Sequence, residues 1–307
     1  MKKDFEIDYI AGSIVADVGQ FVIPLYGKHI FAGPNGSGKT MIMKLIQSTI
    51  ELMGGRPPVT LHNFVSRCCG SYYSGVHVEY SKLFDYFELQ MKNGLSATIK
   101  PVDKEPGCFF EYTCGEETVE LDISKYSNVQ TSQQVPVTSI LLEQDRHCYF
   151  GRLIYEILSN GIVHIDKVTM WHNLLIDCGR RPDFFPPPYA GIPTWKPDEK
   201  RNVVVKRIDN WFDSLSHGEQ ELFLHQIALQ NYDYVLIDGV ENGLHILLQE
   251  KYHDMIRSYR PELENFFITT HSPSIPQCGL WHRVIELSEL NKDEECKDSQ
   301  SEQTTTK

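Results

Sequence analysis

Gly33, Pro34, Asn35, Gly36, Ser37, Gly38, Lys39 and Thr40 stand consecutively and satisfy the pattern G-x-x-x-x-G-K-[ST]. In that pattern backbone N–H groups cradle phosphates, the lysine reaches the β- and γ-phosphates and the hydroxyl holds Mg²⁺. The chemistry predicted is binding of a nucleoside triphosphate, with Lys39 as the phosphate cation and Thr40 as a metal ligand. Such a loop needs a strand before it and a helix after it, because the helix N-terminus contributes further N–H groups and a partial positive charge. Both flanks are present. Lys28 to Ala32 reads as a buried strand, and Ile42, Leu45, Ile46, Ile50 and Met53 recur at helical spacing, giving the helix one apolar face. A partner for Thr40 lies far along the chain, where the apolar strand Tyr234-Val235-Leu236-Ile237 ends in Asp238, the place at which a phosphate-loop enzyme sets a carboxylate beside its metal.

Around these residues the chain reads as α/β. With 307 residues, 41% hydrophobic and 23% charged, it can bury a large core, either as one large domain with an inserted lobe or as two intimate lobes. The formal charge of −12 argues against a general polyanion binder. No run of eighteen apolar residues and no signal-peptide core occur, so a cytoplasmic protein that does not enter a membrane is expected. None of the eight cysteines forms a C-x-x-C pair, which points to reduced thiols instead of zinc or disulfides.

Four segments are expected. Residues 1–147 form a nucleotide-binding lobe. Short strands at Phe5 to Ile10, Ser13 to Val18 and Phe21 to Leu25, broken at Gly12, Gly19 and Pro24, precede the loop. Tyr9 and Phe21 are open either to stacking on an adenine or to plain core packing. Gly54-Gly55-Arg56-Pro57-Pro58 ends the first helix, and period-two strands with an Asn93-Gly94 hairpin then build an antiparallel side lobe. Val137 to Leu142 is a further buried strand. Residues 148–212 read as a helical and proline-rich insertion, with Phe150, Leu153, Ile154, Ile157 and Leu158 on one helix face. Its stretch 180–207 mixes basic and aromatic residues, which suits a grip on nucleic acid and equally a loop packed by its own aromatics or docked on a protein. Residues 213–287 return to the core, with a capping box at Ser216 and Glu219 and a strand Phe266 to Thr270 ending at His271. Residues 288–307 are polar and read as a disordered tail.

The ordered set GPNGSGKT, LSHGEQ, YVLIDGVENGLH and ITTHSPS resembles the ABC-type ATPases, within them the cytoplasmic branch of RecF, SMC and OLD-type proteins. The resemblance spans the chain and implies a P-loop core with an antiparallel β side lobe and a small helical lobe, ATP and Mg²⁺ as cofactors, and Thr40, Asp238 and Gln144 around the metal. It further implies Gln144 as the Q-loop glutamine, His271 as the switch histidine, and Ser216 and Gly218 as signature residues that cover the nucleotide of a second protomer, identical or related. A separately encoded nuclease or toxin, in phage defence or DNA repair, is the partner such proteins commonly gate. The sequence departs from the family twice: His217 replaces a small signature residue, and Gly239 replaces the glutamate that follows the metal aspartate. Glu241 matches a second acidic position of the OLD-like branch and is the candidate replacement, so slow turnover is expected. A hydrolysis-deficient scaffold clamped by ATP and, less well, a transporter ATPase subunit are the other readings of the same fold.

Overall fold

Strand alternation and one fully enclosed helix account for the core. The structure is a computed structural model and describes residues 5–14, 19–25, 27–68, 83–102, 109–123, 129, 131–143, 213, 216–250, 252, 256, 263–277, 281 and 283–290. Gln144, the helices expected within 150–178, the stretch 180–207 and the tail beyond 290 lie outside the described residues.

One sheet is antiparallel. Its strands β1 (Ile7–Ile14), β2 (Gly19–Pro24), β4 (Phe84–Met91), β5 (Ser96–Val102), β6 (Phe109–Cys114) and β7 (Glu117–Asp122) run in the order β2-β1-β4-β5-β6-β7. The Asn93-Gly94 turn closes β4 onto β5 as expected, with the Leu95 N–H donating to Asn93 Oδ1 at 3.0 Å. Gly12 does not break a strand. It sits within β1, where a Cβ would lie 2.9 Å from the Tyr86 carbonyl oxygen, so the residue marks a close approach and not an end. Phe21 is core, tilted against Phe87, and the Tyr9 hydroxyl donates to Glu88 on β4.

The other sheet is parallel. It consists of β3 (Lys28–Ala32), β8 (Ser139–Leu142), β9 (Tyr234–Ile237), β10 (Phe266–Thr269) and β11 (Arg283–Glu286), in the order β11-β3-β10-β9-β8. Side chains alternate between its two faces. Phe31, Leu141, Leu236 and Phe267 enter the cluster shared with the antiparallel sheet, while Ile30, Leu142, Ile237 and Ile268 face the opposite side. That opposite side is covered by α3 (His217–Asn231) through Leu222, Leu224 and Leu229, and by Tyr252 and Ile256 beyond the short α4 (Ile246–Glu250).

Between the sheets runs α1 (Lys39–Met53). A single apolar face is expected from its spacing, but every residue from Ile42 to Met53 is buried. The antiparallel sheet is therefore not a remote lobe: its Phe87 and Phe110 share one cluster with Ile42 and Ile46 of α1 and with Phe31 and Phe267 of the parallel sheet. Most polar groups of α1 beyond Thr40 are buried with partners. Ser48 and Thr49 donate to the carbonyls four residues back, and Lys44 pairs with Glu143 at 2.6 Å beside the Phe64 ring.

A second helix, α2 (Val59–Cys68), follows the glycine-proline turn at once and is not foreshadowed by the sequence pattern. It is capped from outside: Glu51 of α1 accepts the Thr60 N–H at 3.1 Å and the Thr60 hydroxyl at 2.9 Å, while Gln47 donates to it at 3.2 Å. A buried carboxylate with three donors holds α1 and α2 together. Glu51→Ala is expected to lower stability by about 2 kcal/mol, in the range for hydrogen bonds to a charged group, and Glu51→Gln by less. Urea unfolding of the three proteins measures the difference, and an unchanged midpoint for Glu51→Ala would show that the cap carries no weight.

Candidate nucleotide and metal site

Parallel strands end at one edge of their sheet, and the crevice beyond that edge is where open α/β sheets bind ligands. At that edge β3 runs into Gly33, β8 into Glu143, β9 into Asp238 and β10 into Thr270. Because β10 lies between β3 and β9, its last residues stand between the phosphate loop and the metal aspartate.

The loop from Gly33 to Thr40 turns directly into α1, with Gly33, Gly36 and Gly38 all at positive φ. Lys39 is buried and folds back over the loop, its Nζ donating to the Gly33 and Pro34 carbonyls at 2.7 Å each and approaching Ser37 Oγ at 3.4 Å. Burial lowers the Lys39 pKa below the ordinary lysine range, opposed by the carboxylates of Asp238, Glu286 and Glu241. A desolvated ammonium surrounded by acceptors suits an anion that replaces those carbonyls. Thr40 is exposed, and its hydroxyl donates to Asp238 Oδ2 at 2.7 Å across 198 residues of sequence. Two of the three residues that the sequence nominates for the metal are thus in contact, and the third, Gln144, lies outside the described residues.

Two further residues emerge only from the fold. Thr269, buried at the end of β10, donates to Asp238 Oδ1 at 2.5 Å and accepts the Gly239 N–H at 2.7 Å. Thr270 repeats the arrangement on the next residue: it accepts the Ser272 N–H at 3.0 Å and donates to Glu241 Oε2 at 2.6 Å, while the His271 N–H donates to Glu241 Oε1 at 2.8 Å. Glu241 is therefore fixed beside His271, with one hydrogen bond donated to each oxygen, and the His271 side chain is exposed. In sequence both threonines pass as strand formers, and their position directly before His271 is the one signal that could single them out. Glu286 is the third addition: its Oε1 would lie 2.9 Å from a Cβ at Gly33, which places it behind the loop.

The turn after Asp238 explains the missing glutamate sterically. Gly239 adopts φ +70°, and a Cβ there would fall 2.2 Å from Asn242 Nδ2. A side chain at that position would hold a strained left-handed φ and would have to displace the Asn242 amide. Gly218, two residues after Ser216, meets the turn's far end. Ser216 is exposed and its carbonyl accepts the Gln220 N–H, while Gly218 packs so closely on Gly243 that an added Cβ would stand 2.8 Å from the Gly243 carbonyl oxygen. The His217 imidazole lies over Gly243, so the larger signature residue is accommodated by a glycine in the turn.

Among the described residues no group of three His, Cys, Asp or Glu could hold a metal ion by itself, and no helix is long and apolar enough to cross a membrane. Cys114 is a buried free thiol. The Asp238 carboxylate and the Thr40 hydroxyl, in contact with each other, are the kinds of group that would suit Mg²⁺ held with phosphates. They fit the implied ion and nucleotide.

No protein-family model matches the chain, and no curated protein matches it. Solved structures do. The Smc head bound to the C-winged helix domain of ScpA is 13% identical, with a TM-score of 0.54 over 91% of this chain and 93% of that one. An Smc head with an extended coiled coil, bound to the C-terminal domain of ScpA derived from Pyrococcus furiosus, is 11% identical, with a TM-score of 0.47 over 96% and 99%. The SMC head of Thermotoga maritima is 12% identical, with a TM-score of 0.41 over 91% and 93%. At such identity the likeness is one of fold, carried by the first of the three: the chain has the mixed α/β fold of an SMC head, the ABC-type class that its motifs resemble.

The turn yields a prediction. Gly239→Ala is expected to cost about 1–3 kcal/mol, the range for a non-glycine residue held in the left-handed region. Asn242→Ala in the same chain removes the clash but not the strained φ, so it restores part of that loss. Urea denaturation of the single and double variants reads both contributions, and full stability in Gly239→Ala alone would show that the turn is not constrained as described.

Proposed function

We propose that this protein is an ATP-binding ABC-type ATPase that dimerises on ATP and gates a separately encoded effector. The observation that carries the reading is the bond between Thr40 and Asp238, which joins a phosphate loop to a strand-end carboxylate at the open edge of a parallel sheet. Lys39 would leave the Gly33 and Pro34 carbonyls for the β- and γ-phosphates. Thr40 can keep its proton on Asp238 Oδ2 while offering a lone pair to Mg²⁺, with Gln144 completing the metal surroundings. Bound Mg-ATP supplies an electrophilic γ-phosphorus and a metal that offsets the charge building on its oxygens. Glu241, fixed beside His271, is the group we assign to positioning the water, and with no glutamate at Gly239 we expect that step to be slow.

Dimerisation is supported by the start of α3, where Ser216 and Gly218 would cover the nucleotide of a second protomer. The Smc head of similar fold is bound to a domain of another protein. A nuclease or toxin in phage defence or DNA repair is the effector class we infer here, in a cytoplasmic setting. One feature favours a second reading: Gly239, at a left-handed φ that disfavours any side chain, stands where the usual glutamate would be, which suits a scaffold clamped by ATP with little hydrolysis.

Titration calorimetry with a non-hydrolysable ATP analogue and Mg²⁺ is expected to show binding that Lys39→Ala abolishes, and equal binding in both proteins would sink the site. Light scattering should show a dimer with ATP and Mg²⁺. Phosphate release separates the two readings. We expect slow turnover in the natural chain that falls to the Lys39→Ala background in Glu241→Gln, with ATP binding retained. Gly239→Glu should not exceed the natural chain, since its side chain meets Asn242. Natural-chain turnover no higher than Lys39→Ala would assign the protein to the scaffold class.

A further inference from the structure

Asp238 accepts a hydrogen bond on each carboxylate oxygen, and the two donors differ in their surroundings. Thr40 lies at the exposed mouth of the site and donates to Oδ2. Thr269 is buried and donates to Oδ1. The direction of the second bond is determined by its neighbour. The Gly239 amide can only donate and it points at Thr269 Oγ1, so that oxygen must accept there, and its single proton is left for Asp238. The Thr269 carbonyl meanwhile accepts the Val240 N–H at 3.1 Å, and the Asp238 N–H donates to the Leu142 carbonyl at 2.8 Å. Backbone and side chain of the metal aspartate are thereby locked to the ends of β8 and β10.

We infer that Thr269 is a positioning residue for the metal: it occupies Oδ1, sets the carboxylate plane, and leaves Oδ2, already shared with Thr40, as the oxygen presented to Mg²⁺. Asp238 then acts through one oxygen. An aspartate released from Thr269 is free to rotate about its side-chain bonds, and the metal must bear the ordering that the threonine otherwise supplies. Hydrogen-bonding partners one step removed from a metal typically alter its affinity by about 10- to 100-fold when removed. This inference rests on the reading of the site as one for Mg²⁺ with a nucleotide.

The test uses the full chain and a non-hydrolysable ATP analogue, with binding followed by calorimetry across a Mg²⁺ titration and also in EDTA. Thr269→Val keeps the shape and removes the hydroxyl. It is expected to raise the Mg²⁺ midpoint for nucleotide binding about 10-fold or more, to leave the EDTA affinity as in the natural chain, and to be rescued by Thr269→Ser. A residue that merely stabilised the fold would weaken binding equally with and without Mg²⁺, and that outcome would overturn the inference, as would an unshifted midpoint. Should Thr269→Val not fold, Thr269→Cys, whose thiol is a weak donor, carries the same comparison with the same expected shift. If the natural chain binds the analogue with no dependence on Mg²⁺, the underlying site reading fails, and it does so in the natural protein before any variant is compared.

Discussion

Asp238 holds a hydroxyl proton on each oxygen, and the three segments that meet there come from distant parts of the chain: the start of α1, the end of β9 and the end of β10. Charge-assisted hydrogen bonds of this kind are about twice as strong as neutral ones, but they form only if the backbone brings the hydroxyls within reach. That placement is made by the core. The helix α1 is enclosed from Ile42 to Met53, so it cannot tilt without opening the cluster shared by both sheets. The position of Thr40 is in this sense a consequence of Phe87, Phe110 and Phe267 as much as of the phosphate loop.

The turn from Asp238 to His245 is the junction through which the other elements reach the site. Its first part is bonded to Thr269, its middle carboxylate to Thr270 and the His271 amide, and its end lies beneath Gly218 and His217. Further on, the Gln249 amide donates to the Leu244 carbonyl and its oxygen accepts the Ser272 hydroxyl, which ties the start of α4 to the segment after the switch. A displacement at His271 would be felt at the start of α3 through this one turn, because packed backbone with satisfied polar groups moves as a unit. The left-handed φ of the turn also suits Gly239, since a side chain there would be strained and would have to displace the Asn242 amide.

Charge sets a second condition. The protein carries −12 overall, and Asp238, Glu241 and Glu286 all act on Lys39. A highly charged anion approaching such a site depends on local donors, not on a long-range field. Those donors are the Lys39 ammonium, now spent on two loop carbonyls, and the N–H groups of the loop and of the first turn of α1. Under the proposed function, Mg²⁺ arriving with a nucleotide would lower the remaining repulsion.

From sequence alone the phosphate loop, its flanking strand and helix, the strand ending at Asp238, the Asn93-Gly94 hairpin and the period-two strands were all legible. Each is a local pattern, written in the spacing of a few neighbouring residues. The order of the parallel strands was not, since it depends on which hydrophobic faces meet, and with it went the insertion of β10 between β3 and β9 that makes Thr269 and Thr270 part of the site. The all-round burial of α1 was equally hidden, because Ser48, Thr49 and Glu51 look solvent-facing until their partners are known. Gly12 has the pattern of a strand break but marks a close approach, and α2 leaves little trace in the sequence because its cap is a carboxylate from another helix. The reason is common to all of these. Local periodicity specifies which residues form an element and which of their faces are apolar, whereas hydroxyl and carboxylate partners far apart in sequence are chosen only when the sheet order and the enclosed helix bring them together.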